Sequence, residues 1–104
     1  MKMVMTNHAM IDRADRIGAI VDYLKGDLGE VVITAAGRQK GLKQELTSNG
    51  VLIVRTIDNV LVTMYLCSIK QAQWFERTAN KYLTRNQWQR INANQRHKEL
   101  INAA

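Results

Sequence analysis

The sequence predicts an α+β fold in the order α-β-β-β-α-α, a small antiparallel sheet packed by an N-terminal helix and two C-terminal helices. Three observations predict it. Apolar residues recur at helical spacing early in the chain and again in its last third. Between them lie three runs rich in Val, Ile and Leu. Only Asp58 and Asn59 separate the last two runs, a pair suited to positive φ in a primed hairpin turn. The chain has 104 residues, 46% of them apolar, which suits one domain over 1–104 with one modest core. It has no proline, repeat or low-complexity tract, and no linker that would divide it.

The first helix is expected over residues 8–25, with Thr6 or Asn7 as its cap. Met10, Ala14, Ile17, Val21 and Leu24 form one apolar stripe, with Ile20 beside it. Asp12 and Asp15 sit where the helix dipole favours them, and Gly26 ends the helix after Lys25. Gly18 inside the helix costs about 1 kcal/mol against alanine and is read as marking a close packing contact.

The β-like runs are 30–36, 51–57 and 60–68. Alternation puts Val51, Ile53, Arg55 and Ile57 on one face of the second run, and Leu52, Val54 and Thr56 on the other. On the third, Val60, Val62, Met64 and Leu66 oppose Leu61, Thr63, Tyr65 and Cys67. The face with the polar Thr63 and Tyr65 is the better candidate for an open cleft, and the Val60 face for core. The stretch 37–50 reads as a basic connection that either forms a short helical turn around 42–46 or extends the flanking strands into a long hairpin.

Ser68 with Gln71, and Thr84 with Gln87, each fit a capping box, so two helices are expected at about 69–83 and 85–102. These helices have two available uses, closing the core or pairing with a second copy in a homodimer.

The formal charge is +6, and it is unevenly spread. Residues 1–36 carry four Lys/Arg against five Asp/Glu, 37–57 four against one, and 58–104 seven against three. A positive field over the middle and the C-terminal helices favours a polyanionic partner, nucleic acid first, or else an acidic protein surface. The contact candidates are Arg13, Arg38, Lys40, Lys43, Arg77, Lys81, Arg85, Arg90 and Arg96, with Arg77, Lys81 and Arg85 at four-residue spacing as a ladder for phosphates. Trp74 and Trp88 read more readily as core anchors than as base-stacking platforms. The bland alternative is a solvated basic surface.

One cysteine and two histidines exclude a zinc pattern, and no phosphate loop or dinucleotide fingerprint is present. Neither a metal nor a cofactor is therefore expected. Cys67 has no partner for an internal disulfide and reads as a buried, inert thiol. No apolar run reaches the roughly 18 residues of a membrane span, and no secretory signal opens the chain, so no membrane role is expected and the cytoplasm is the default.

What remains suits metal-free phosphodiester chemistry. His8, Asp12 and Arg16 share one helix face, with Arg13 beside it. An imidazole moves protons near neutrality, and arginines hold a scissile phosphate while the RNA's own 2′-OH attacks. The competing reading is a frayed histidine beside a surface Asp–Arg pair. Arg55, Thr63 and Tyr65 lie on paired strands, where they can contact a phosphate or simply be half-buried sheet residues.

His8-Ala9-Met10 followed by Arg13 and Arg16, then a hairpin ending Val-Thr-Met-Tyr, resembles the barnase–EndoU–colicin–RelE superfamily of small ribonucleases, many of them toxins. The resemblance covers about two-thirds of the chain. It implies helices before an antiparallel sheet and RNA cleavage without metal. It makes His8 the acid/base, Arg16 and Arg55 phosphate clamps, and Thr63 and Tyr65 sheet-borne active-site groups. The two extra C-terminal helices depart from that pattern. Other readings are a non-enzymatic nucleic-acid binder, or a small inhibitor or adaptor of the kind phages and mobile elements encode.

Overall fold

The structure, a computed structural model, describes residues 4–5 and 14–102. Its elements are β1 (Val4–Met5), α1 (Ala14–Tyr23), β2 (Val31–Ala36), β3 (Leu42–Thr47), β4 (Val51–Thr56), β5 (Val60–Leu66), α2 (Ile69–Ala79) and α3 (Arg85–Asn102). They form a five-stranded sheet in the order β1-β5-β4-β3-β2. β2 to β5 are an antiparallel meander, and the short β1 pairs with β5 in parallel, Val4 beside Val60. The α+β class and the helix–sheet–helix–helix order stand, with strands that the three runs did not include.

The principal addition is β3. Neither expectation for 37–50 holds: the segment is neither a helical turn nor an extension of the flanking strands, but a strand of its own that separates β2 from β4. Leu42 and Leu46 have helical spacing, but this segment bonds to β2 on one side and β4 on the other. Two satisfied ladders outweigh a weak local preference.

α1 ends where Lys25 and Gly26 both take left-handed φ, and Gly26 N–H closes onto Val21 O at 2.9 Å. Residues 8–13 of the expected first helix lie outside the described residues. Gly18 marks no packing contact: a methyl there would meet nothing within 4 Å among the described residues, because this face of α1 looks outward.

The β4–β5 hairpin forms, but not with two positive-φ residues. Only Asn59 is left-handed, at φ 69°, and its N–H closes onto Thr56 O at 2.9 Å. A register shift follows, Arg55 facing Leu61 and Val54 facing Thr63, so Val62 is an extra residue in β5. That bulge corrects the expected faces. Leu61 turns to the side of Met64 and Leu66, away from Thr63 and Tyr65, so strict alternation along 60–68 does not hold.

The core therefore has two halves. On one face of the sheet, Ile17 and Ile20 of α1 pack on Val51, Ile53, Leu61, Met64 and Leu66. On the other, Ala72 and Phe75 of α2 and Ile91 of α3 pack on Ile33, Leu46, Leu52 and Cys67. Full burial of one such large side chain contributes roughly 1.5–3 kcal/mol. Both capping boxes form: Ser68 with Gln71, and Thr84 with Gln87. α2 stops at Ala79 because Asn80 is left-handed, at φ 50°. α3 then runs along β5, and its last turn brings Ile101 against the first half-core.

Candidate nucleic-acid interface

α2 covers the β2–β3 side of its face and leaves the β4–β5 side open. The result is a groove of two adjoining hollows, about 480 and 320 Å³, with Arg38, Gln44, Leu52 and Gln71 lining both. β4 supplies an apolar floor of Leu52 and Val54, and β5 adds Val62, Thr63 and Tyr65. The β2–β3 turn contributes Arg38 and Gln39, β3 contributes Leu42 and Gln44, and α2 contributes Gln71, Trp74 and Phe75. Each member follows from strand parity. Residues facing one another in a ladder point to the same side, so Leu52 with Tyr65 and Val54 with Thr63 share this face.

Arg16 lies behind the groove. It is 5% exposed, and its guanidinium is engaged on several sides. Nε donates to Met64 O at 3.1 Å, Nη2 to Thr63 Oγ1 at 2.6 Å and Nη1 to Asn102 O at 3.4 Å. The same guanidinium stacks over the Tyr65 ring, its central carbon 4.0 Å from the centroid. Arg16, Thr63 and Tyr65 thus come together as one unit, with the hydroxyl-bearing side chains lining the groove and the cation holding them from behind.

Arg55 lies elsewhere. It faces Leu61 across the ladder, on the α1 side, so its side chain leaves the sheet opposite to Thr63 and Tyr65. It is buried, with Nε 2.8 Å from Glu45 Oε1 of β3. Adjacency on paired strands and the ribonuclease resemblance grouped Arg55 with Thr63 and Tyr65, but Thr63 faces Val54, the neighbour of Arg55, so strand parity puts Arg55 on the other side. His8 and Arg13 lie outside the described residues.

Among the basic candidates, Arg38 lines the groove, and Lys40 is exposed in the same turn. Lys43 is half-buried and bonds Asn59 Oδ1. Arg77, Arg85, Arg90 and Arg96 are exposed on the helices. The expected Arg77–Lys81–Arg85 ladder does not exist. α2 ends at Ala79, and Lys81 sits in the α2–α3 connection with Nζ 2.8 Å from Val32 O.

The groove contains residues that the sequence reading passed over. Gln44 was hidden because β3 was not recognised as a strand. Gln71 was seen only as a capping residue; its Oε1 does accept from Ser68 N–H, which leaves its amide nitrogen at the groove. Trp74 was read as a core anchor, yet it is at the surface at the groove's end, edge-on to the buried Phe75. Glu45, the partner of Arg55, could be found only from the β3–β4 register.

Cys67 lies in the second half-core, where burial pushes its thiol up to about 12 while Lys98 pulls it partly back. It is a packed, protonated side chain with no part in the groove. Among the described residues no three His, Cys, Asp or Glu side chains gather as a metal-ligand set, and no helix is long and apolar enough to cross a membrane.

No protein-family model matches the chain, and comparison with curated proteins and with solved structures gives no significant match. An apolar floor, side-chain amides, a surface indole and a guanidinium suit a flat, hydrogen-bonding ring attached to an anion. The described residues of the groove include no histidine or carboxylate.

Proposed function

We propose that this protein is RNA-directed and seats unpaired nucleotides in the α2-side groove. One observation carries the reading: Arg38, Trp74 and the amides of Gln44 and Gln71 converge over an apolar floor in a chain of net charge +6. A base has an apolar face for the floor or the indole and a polar edge for the amides, while its phosphate meets the arginine. The exposed Arg77, Arg85, Arg90 and Arg96 supply the long-range field. A cytoplasmic protein meets such single strands routinely.

Binding of a short labelled single-stranded RNA, followed by fluorescence anisotropy across a salt series, tests this. The logarithm of the affinity should fall linearly with the logarithm of salt concentration. Trp74→Ala should cost about 1–3 kcal/mol of binding, the worth of one stacked base. Arg38→Glu should weaken binding further and flatten the salt slope. Absence of RNA binding at low salt, or indifference to both substitutions, overturns the proposal. A stoichiometric acidic protein partner that survives nuclease treatment would instead mark an inhibitor or adaptor.

A second reading has a specific observation in its favour. Thr63 and Tyr65 line the groove together, with Arg16 against both. That is the part of the resemblance to metal-independent ribonucleases that the described residues contain. In this reading His8 moves the protons. RNA incubated in chelator would be cut by the protein and spared by His8→Ala.

A further inference from the structure

The two edges of the sheet are finished differently. The β5 edge is met first by a strand and then by side chains. β1 pairs with Val60 and Leu61. Beyond it Arg16 takes Met64 O, and the Asn102 amide takes both the N–H and the carbonyl of Leu66, at 3.0 and 3.1 Å. Side chains replace a neighbouring strand there, as an edge that must not pair requires.

The β2 edge has side-chain partners at its two ends only. Val31–Ala36 reads VVITAA, with no charge, proline or glycine. Gly37 N–H donates to Leu42 O, which sets the phase of the ladder: Gly37, Ala35 and Ile33 bond inward to β3. Thr34 and Ala36 therefore turn their backbone groups outward. Lys81 Nζ reaches Val32 O at one end and Gln44 Nε2 reaches Ala36 O at the other. Among the described residues no strand pairs with Thr34 on that side.

We propose that β2 pairs with β2 of a second copy, antiparallel about a two-fold axis at Thr34, to form a dimer with one continuous sheet. In that register Thr34 faces Thr34, and Val32 faces Ala36, whose N–H can use the second lone pair of the Val32 carbonyl. Charge fits as well. The end of β2 that carries exposed Glu30 comes alongside the turn that carries exposed Arg38, and the symmetry makes this contact twice. Apolar surface is available at the same place. Val31 is 38% exposed, and Tyr82, 83% exposed, follows the lysine that reaches Val32. A second copy supplies opposite charge at both ends and a matching uncharged strand between them.

Sedimentation of the full chain over a concentration series, without RNA, tests the proposal independently of the groove's ligand. Wild type should show a reversible monomer–dimer equilibrium. Thr34→Pro removes the outward N–H and no β2–β3 bond, so it should be monomeric with an unchanged circular dichroism spectrum. Glu30→Arg or Arg38→Glu alone should weaken dimerisation about tenfold, and the double exchange should restore it. A wild type that stays monomeric throughout, a dimer indifferent to Thr34→Pro, or a double exchange as weak as the single variants overturns the proposal.

Discussion

Arg16 Nη2 donates to Thr63 Oγ1 at 2.6 Å, although α1 and the Thr63 side chain belong to opposite faces of the sheet. The arginine passes the β5 edge beyond β1 and joins the α1 half-core to the wall of the groove. Arg16→Ala should destabilise the fold by about 2–4 kcal/mol, because Thr63, Met64 and Tyr65 all lose their partner in a buried place. Arg16→Lys should recover only part, since an ammonium lacks the planar fork that reaches Met64 O and Thr63 Oγ1 together. Urea unfolding of the three proteins measures this; equal midpoints would show the contacts to be energetically idle.

The elements read correctly from sequence are those set by neighbours in the chain. Ser68 with Gln71 and Thr84 with Gln87 fix two helix starts, and α3 runs over the residues expected for it. Thr63 and Tyr65 were placed on an open face by their polarity, and they line the groove. Apart from the early stop of α2 at the left-handed Asn80 and the single positive φ in the β4–β5 turn, the misreadings turn on distant partners. β3 has helical leucine spacing and is a strand only because β2 and β4 flank it. Leu61 changes face because of one inserted residue, Val62. Arg55 looked like a site residue until the register brought Glu45 to it. Arg16 and Thr63 are 47 residues apart, beyond the reach of any local pattern.

Gly50 closes the β3–β4 turn with φ at +79°, its N–H on Thr47 O at 3.1 Å. A methyl there would stand 2.7 Å from Asn94 Nδ2 and 3.2 Å from Ile91 Cγ1 of α3. Gly50→Ala combines left-handed strain with a clash against a packed helix, so it should cost about 2 kcal/mol or more. Gly41, also left-handed at +85°, has open space around it. Gly41→Ala should cost only the backbone term, about 1 kcal/mol. Thermal melts of the two variants separate clash from strain, and equal losses would refute the packing account.

Asn94 is fully buried on α3 and ties three segments together. Its Nδ2 donates to Asn49 O at 2.9 Å, and its Oδ1 accepts from Tyr23 OH at 3.1 Å. Asn94→Ala leaves a turn carbonyl and a phenol without partners and should destabilise by about 2–3 kcal/mol. Tyr23→Phe removes only the phenol's bond and should cost about 1 kcal/mol. Because they share that bond, the two losses should add to more than the double variant shows. Strict additivity would mean that the Tyr23–Asn94 bond contributes nothing.

The Cys67 thiol is pushed by burial from 9.0 up to about 12. In the native protein it stays protonated at neutral pH, so an aromatic disulfide reagent should label it slowly in buffer and rapidly in denaturant. The same displacement makes stability depend on pH. Below pH 9 both folded and unfolded chains hold the proton, and the thiol contributes no slope. Between about 9 and 12 the unfolded chain loses its proton while the folded chain keeps it, so the unfolded state is favoured and stability falls as pH rises. The informative quantity is the difference from Cys67→Ala, in which contributions common to both proteins cancel. That variant loses some packing at every pH. Its deficit against wild type should shrink as pH climbs from 9 towards 12, and a constant deficit would show that the thiol ionises as readily in the fold as out of it.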